Sequence, residues 1–172
     1  MNKIKALVTG GAGFIGSHLV DRLLKDGIHV AVVDNLSSGR RENINPDATF
    51  YCIDIKEAHL SDIFREESPD VVFHLAAQAS VPNSINDPVE DANTNIIGSI
   101  NILEQCRDFH VERLIYSSTG GAIYGDPSNL PCPETTAPNP LSAYGVSKYA
   151  SECYVNYFAL TTGLKYSILR YG

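Results

Sequence analysis

Three groups of residues in this 172-residue sequence have types and spacings that can do chemistry together. Tyr144 and Lys148 stand four residues apart in the run Tyr144-Gly145-Val146-Ser147-Lys148, inside a helical pattern, so they share a helix face and an ammonium can approach a phenol. A tyrosine ordinarily ionises near pH 10, and use as a base near neutrality requires its ionisation to be favoured by roughly 4 kcal/mol. One nearby cation supplies part of that, and an oxidised nicotinamide supplies more. Ser117-Ser118-Thr119 closes an apolar, strand-like run, and the Thr119 hydroxyl is placed to hold the reacting oxygen of a substrate in line with the phenol. The third group is Val8-Thr9-Gly10-Gly11-Ala12-Gly13-Phe14-Ile15-Gly16, between an apolar strand and a helical pattern. There Gly10 permits a sharp turn, Gly13 carries no side chain to keep a pyrophosphate off the helix N-terminus, and Gly16 allows close helix packing. It reads as a dinucleotide site, although strand-to-helix turns that bind nothing also use glycine.

Asp34 ends the next apolar run, about twenty residues beyond the glycine turn, where an acid can accept the adenosine ribose hydroxyls. Its charge repels a 2′-phosphate and so favours NAD over NADP, although Arg40 and Arg41 follow in the same loop. Asp54-Ile55, judged by position alone, is an ordinary strand-to-helix turn, and His74 at the end of a buried strand reads as structural rather than catalytic. The other histidines show no ligand spacing, and the four cysteines form no Cys-x-x-Cys pair, so no metal and no disulfide is expected. A net charge of −7, with Arg40-Arg41 the only adjacent basic pair, gives no reason to bind nucleic acid or an anionic membrane. The first apolar run leads directly into the glycine turn and leaves no signal-peptide core, which points to the cytoplasm.

Behind these residues, apolar runs alternate with helical patterns. Strands are expected at Ile4–Thr9, His29–Val33, Thr49–Ile53, Val71–Leu75, Arg113–Ser117 and Tyr166–Arg170. Helices are expected at Phe14–Lys25, Glu57–Glu66, about Val89–Asp108 and about Ala143–Thr162. Apolar strands joined through helices are expected to be buried on both faces of a parallel sheet, and right-handed crossovers then give a doubly wound α/β fold with strand order 3-2-1-4-5-6. Five prolines between Asp126 and Pro140 demand an extended loop. At this length the chain builds one core, so residues 1–172 form one domain.

The glycine turn, Asp34-Asn35-Leu36, Asp54-Ile55, His74-Leu75-Ala76-Ala77, Asn95-x-x-Gly98, Ser117-Ser118-Thr119, Tyr124-Gly125, Tyr144 to Lys148 and Leu169-Arg170-Tyr171 together resemble one family. The resemblance runs from residue 4 to 172, to the extended short-chain dehydrogenase/reductases that act on nucleotide sugars, and most closely to the UDP-glucose 4-epimerases. It implies a Rossmann fold and an NAD that takes hydride from the sugar C4 and returns it to the other face. The roles it implies are Tyr144 as base and acid, Lys148 as its electrostatic partner and Thr119 as the substrate clamp. The segment after Thr119 is one residue longer than in common epimerases, which leaves Ser118 as an alternative clamp. The cofactor set it implies is Gly10, Gly13, Phe14, Ile15, Gly16, Asp34, Asn35, Ser38, Gly39, Asp54, Ile55, Leu75, Ala76, Ala77, Asn95, Ser117, Tyr144, Lys148 and Tyr171, with Asp54-Ile55 bracketing the adenine. Sugar-nucleotide dehydratases carry Asp-Glu after the clamp threonine; Gly120-Gly121 here argues against dehydration. The resemblance further implies a UDP-hexose substrate, a homodimer through the two long helices, and a C-terminal substrate domain beyond residue 172. A stand-alone dinucleotide-binding or redox-sensing module is the alternative to an enzyme.

Overall fold

In the computed structural model, which describes residues 4–128 and 130–172, the chain alternates strand and helix almost throughout. The strands are β1 (Lys5–Thr9), β2 (His29–Val33), β3 (Thr49–Tyr51), β4 (Val71–His74), β5 (Arg113–Thr119) and β6 (Lys165–Tyr171). The helices are α1 (Phe14–Lys25), α2 (Leu60–Glu67), α3 (Val81–Asn86), α4 (Pro88–Ala92), α5 (Gly98–Asp108), α6 (Gly120–Ile123) and α7 (Ala143–Thr162), with a π-helical segment at Asn93–Ile97 and a 3-10 turn at Arg41–Asn43. All strands join one parallel sheet in the order β3-β2-β1-β4-β5-β6, the expected doubly wound α/β topology.

The period of two along β1 divides the core. Leu7 faces a cluster with Leu60 and Phe64 of α2, Ile102 and Leu103 of α5, and Val155 and Phe158 of α7. Ala6 and Val8 face the opposite cluster, with Val20 and Leu23 of α1 and Val30 and Val32 of β2. Each of the buried Val, Leu, Ile and Phe side chains among these contributes about 1.5–3 kcal/mol through its removal from water. Burial on both faces thus describes β1 and β2, but not β6. Four of its seven residues are exposed, because it lies at the sheet edge with a neighbour on one side only.

The expected single helix over 89–108 is corrected in two respects. Its start is Pro88, with the Asp87 carboxylate accepting from Glu90 N, and a separate short helix, α3, precedes it under a Ser80 cap. The rod then widens into the π segment while its backbone stays right-handed through Asn93 and Gly98, each at φ −59°. Among the described residues no helix is long and apolar enough to cross a membrane. Nor does any group of three or more His, Cys, Asp or Glu side chains among them lie where it could hold a metal ion.

Candidate functional site

The site is built at the carboxyl ends of β1, β4 and β5, where the chain leaves the sheet toward opposite faces and a crevice opens. Gly10 follows β1 at φ +72°, the left-handed region that glycine adopts without strain, and a Cβ there would lie 2.7 Å from Ala76 N in the turn after β4. The two turns therefore form one floor, and only a residue without a side chain fits between them. A Cβ on Gly13 would meet nothing nearer than the Gly10 carbonyl at 3.3 Å, so this face of the turn opens outward. Gly16, expected to bring helix and strand together, packs instead against the backbone of Gly10 and Gly11 in the turn itself. α1 starts at Phe14 with no side-chain cap and no acid in its first turn, and the side chains of Phe14 and Ile15 are exposed. Its first N–H groups and the positive end of its dipole are left for an anion.

Asp34 sits at the end of β2, 8% exposed. Its Oδ2 accepts from Ala12 N at 3.0 Å and its Oδ1 from Leu36 N at 2.8 Å, so the carboxylate braces the glycine turn as well as facing the crevice rim. Gly39 lies against Ala12 and Asp34, with Ser38 exposed beside it. Asn35 donates to Asp54 Oδ2 at 2.9 Å, which draws the β2 and β3 loops together. The Ile55 side chain turns away into the core and packs on Gly98, so Ile55 can offer a ligand only its backbone.

The partly buried turn Leu75-Ala76-Ala77 leads to a polar ring. Gln78 N donates to Asn95 Oδ1 at 2.9 Å, and Asn95 Nδ2 donates to Gln78 O at 2.9 Å and to Asp91 Oδ1 at 3.0 Å. Asn95 lies in the π segment, and the extra residue in that turn directs it toward β4. Asp91 is 1% exposed, and its Oδ2 has no partner. Nothing in the sequence marked Gln78 or Asp91, although Asp87-Pro88 signals the helix start that carries Asp91.

At β5, Ser118 and Thr119 lie in different surroundings. Ser118 is buried and donates its hydroxyl to Glu152 Oε1 at 2.5 Å, behind the crevice. Thr119 ends the strand and caps α6, accepting from Ala122 N at 3.2 Å. α6 in turn packs on the start of α7, where a Cβ on Gly145 would lie 2.5 Å from the Ala122 carbonyl. The strand end that carries Thr119 and the helix start that carries Tyr144 are thereby joined through α6. Ser117 is half-buried on β5, and Tyr171 is exposed opposite Thr119 at the end of β6.

Tyr144 and Lys148 both lie on α7. Lys148 is 4% exposed, and its Nζ lies 4.3 Å from the centre of the Tyr116 ring, a cation–π contact; it forms no hydrogen bond or salt bridge with another described residue. The Tyr144 phenol is pushed up from its usual range by burial, reinforced by Tyr116 and Asp91. The phenol is not a ready base in this state, because its burial opposes ionisation. Beneath them Glu152 holds Arg170 through Nε at 2.9 Å and Nη2 at 2.5 Å, and Arg170 Nη1 donates to Tyr124 OH at 2.6 Å.

Comparison with known proteins gives a consistent result. The description "NAD dependent epimerase/dehydratase family" matches residues 6–172. The chain is 45% identical over 160 residues to the UDP-glucose 4-epimerase of Mycolicibacterium smegmatis, covering 90% of this chain and 51% of that protein. A crystal structure of the Thermotoga maritima UDP-glucose 4-epimerase with UDP-glucose superposes with a TM-score of 0.96 at 53% identity, covering 98% of this chain and 55% of that one. The Thermus thermophilus UDP-glucose 4-epimerase in complex with NAD does so with a TM-score of 0.96 at 48% identity, covering 98% of this chain and 55% of that one. The chain spans about half the length of the curated relatives it matches. On sequence and structure alike, this chain belongs to the NAD dependent epimerase/dehydratase family.

Proposed function

We propose that this chain is the NAD-binding, acid/base half of a nucleotide-sugar 4-epimerase acting on a UDP-hexose in the cytoplasm. The observation that carries the reading is Lys148, a buried cation with no acidic partner among the described residues, one helical turn from Tyr144. Burying an ammonium costs several kcal/mol, and the Tyr116 ring offsets only part of it, so a bound ligand that shares the charge fits this position. The crevice also fits NAD elsewhere. The open face of Gly13 and the uncapped start of α1, with Gly10, Phe14, Ile15 and Gly16, would take the pyrophosphate. Asp34, Asn35, Ser38 and Gly39 would surround the adenosine ribose, and Asp54 with the Ile55 backbone would meet the adenine. Leu75, Ala76, Ala77, Asn95, Ser117, Tyr144, Lys148 and Tyr171 would line the nicotinamide end. The cofactor when bound supplies reversible hydride acceptance at the sugar carbon. Thr119 orients the substrate hydroxyl, and Tyr144 takes its proton and returns it. Gly120 and Gly121 offer no acid or base for eliminating water, which favours epimerisation over dehydration.

The sugar's nucleotide would be anchored by the further length that the relatives possess, and positioning draws on that remote binding energy. Calorimetric titration of the 172-residue chain with NAD should accordingly give saturable binding, with no measurable interconversion of UDP-glucose and UDP-galactose. Failure to bind NAD would remove the reading, and sustained turnover would place the whole substrate site in these residues. The raised Tyr144 phenol favours a second reading, a binding module without catalysis. Titrating that phenol spectroscopically with NAD bound separates the two, since only an enzyme needs it brought toward neutrality.

Asp34 provides a sharper test of the cofactor site. Asp34→Ala should weaken NAD by roughly 1.5–3 kcal/mol, the worth of a hydrogen bond to a charged group, and reduce the preference over NADP. Equal affinity and preference in the variant would exclude Asp34. A homodimer through the outer faces of the two long helical rods is part of the same proposal, supported by the exposed Val89, Ile97, Val146, Tyr149, Tyr157 and Leu160. Sedimentation velocity decides it.

A further inference from the structure

A chain of buried hydrogen bonds runs beneath the crevice, and its direction can be worked out atom by atom. Ser99 Oγ lies 2.6 Å from the Asn95 carbonyl oxygen, which can only accept, so the serine's single proton is committed there. Ser99 Oγ is also 3.0 Å from His74 Nε2, and having no second proton it must accept from an Nε2–H. In the neutral ring Nδ1 is then bare. It lies 2.7 Å from Thr9 Oγ1 and accepts that hydroxyl's proton. Thr9 Oγ1 in turn accepts from Ala76 N at 3.2 Å. The sequence of donors is Ala76 N–H, Thr9 O–H, His74 Nε2–H, Ser99 O–H, ending on the Asn95 carbonyl, which also receives Ser151 Oγ at 2.8 Å.

We propose that His74, held as the Nε2–H tautomer, is a positioning residue for the dinucleotide crevice, tying the turn after β4 to the end of β1 and to the π segment. The inference rests on the proposal that this crevice holds NAD. Every member is nearly inaccessible except the half-buried Ala76: Thr9 is 0%, His74 1%, Ser99 2% and Asn95 1% exposed. The two ends of the chain of bonds are groups of the crevice itself. Ala76 is the backbone that closes on Gly10, and Asn95, whose main-chain carbonyl ends the chain of bonds, closes on Gln78 through its side chain. Burial and the nearby Lys148 cation hold the imidazole down at about 3, and the Tyr116 ring, 5.6 Å away, is its aromatic neighbour. A charged ring would need a second acceptor at Nδ1, where the Thr9 oxygen would have to give up its own donation. The tautomer is therefore an element of the fold and not a variable of the medium.

Long-range proton–nitrogen NMR on histidine-labelled chain should show one imidazole with protonated Nε2 and bare Nδ1, unchanged from pH 5 to 8. A protonated Nδ1, or titration of that ring within the range, would overturn the assignment. Thr9→Val keeps the shape and deletes the central hydroxyl. It should weaken NAD roughly tenfold, equivalent to about 1.4 kcal/mol, and move the Nδ1 resonance, while Thr9→Ser should restore both. If wild-type chain binds NAD and Thr9→Val binds it equally well, the positioning role fails while the cofactor site stands. If wild type does not bind, the cofactor reading itself fails, and the tautomer measurement still stands by itself. Ser99→Ala, which removes the acceptor of Nε2–H at the other end, should also weaken NAD, and unaltered affinity there counts equally against the proposal.

Discussion

Tyr144→Phe, in a catalytically competent form of the protein, should cut turnover roughly a hundredfold or more while leaving NAD bound, because it removes a proton-transfer group and keeps the ring. The half-buried position of Tyr144 on the first turn of α7 makes phenylalanine a close fit, so loss of folding is not the expected cause. A coupled assay of UDP-galactose conversion, beside a cofactor titration, separates chemistry from binding; near-normal turnover would remove Tyr144 as base and acid. Lys148→Ala should act on the same limb of the pH profile. The phenolate is the reacting form, a cation favours it, and burial with Tyr116 and Asp91 opposes it. Removing the cation leaves only the opposing influences, so the rising limb should move to higher pH. An unmoved limb would mean that the lysine serves binding alone.

The second large effect is expected in stability. Glu152→Ala should destabilise the fold by about 3 kcal/mol, at the lower end of the range for breaking a buried ion pair, since the Arg170 side chain retains 20% exposure. Glu152 is the common acceptor of Ser118 on β5 and Arg170 on β6, and Arg170 also holds Tyr124 at the end of α6. Deleting the carboxylate leaves the guanidinium without its anion and removes the charged tie between the edge strand and α7. Urea unfolding should show a lower midpoint with an unchanged slope. A Glu152→Ala protein as stable as the parent would mean that the pair is dispensable.

Legibility in the sequence followed the range of each interaction. The six strands, their order and the two helices α1 and α7 could be read because periods of 2 and 3.6, and the glycine turn, are local signals. Asp34, Thr119, Tyr144 and Lys148 could be singled out because short spacings and strand ends mark them in the sequence. What escaped depends on neighbours far along the chain. Gln78 donates to Asp91 directly and both bond Asn95, and Lys148 is drawn over Tyr116, 32 residues away in sequence and on another element. Edge exposure of β6 escaped for the same reason, since an apolar run reads alike at the centre and at the margin of a sheet. The widened turn at Asn93–Ile97 has no periodic signature at all, being a single residue's excess in an otherwise regular rod.

That excess sets a phase. An α-helix advances by about 100° per residue, so one residue more or fewer turns everything on one side of the insertion relative to the other by more than a quarter circle. On the α5 side, Ile102, Leu103 and Cys106 are locked into the core; on the α4 side, Asp91 is locked toward Gln78. The segment works as a coupling between two shafts that must be clocked differently, one by oil-like packing and the other by a polar crevice. Shortening it by one residue would leave both shafts intact and swing the Asp91 carboxylate away from its ring, so length within Asn93–Ile97 is constrained even where side-chain identity is free.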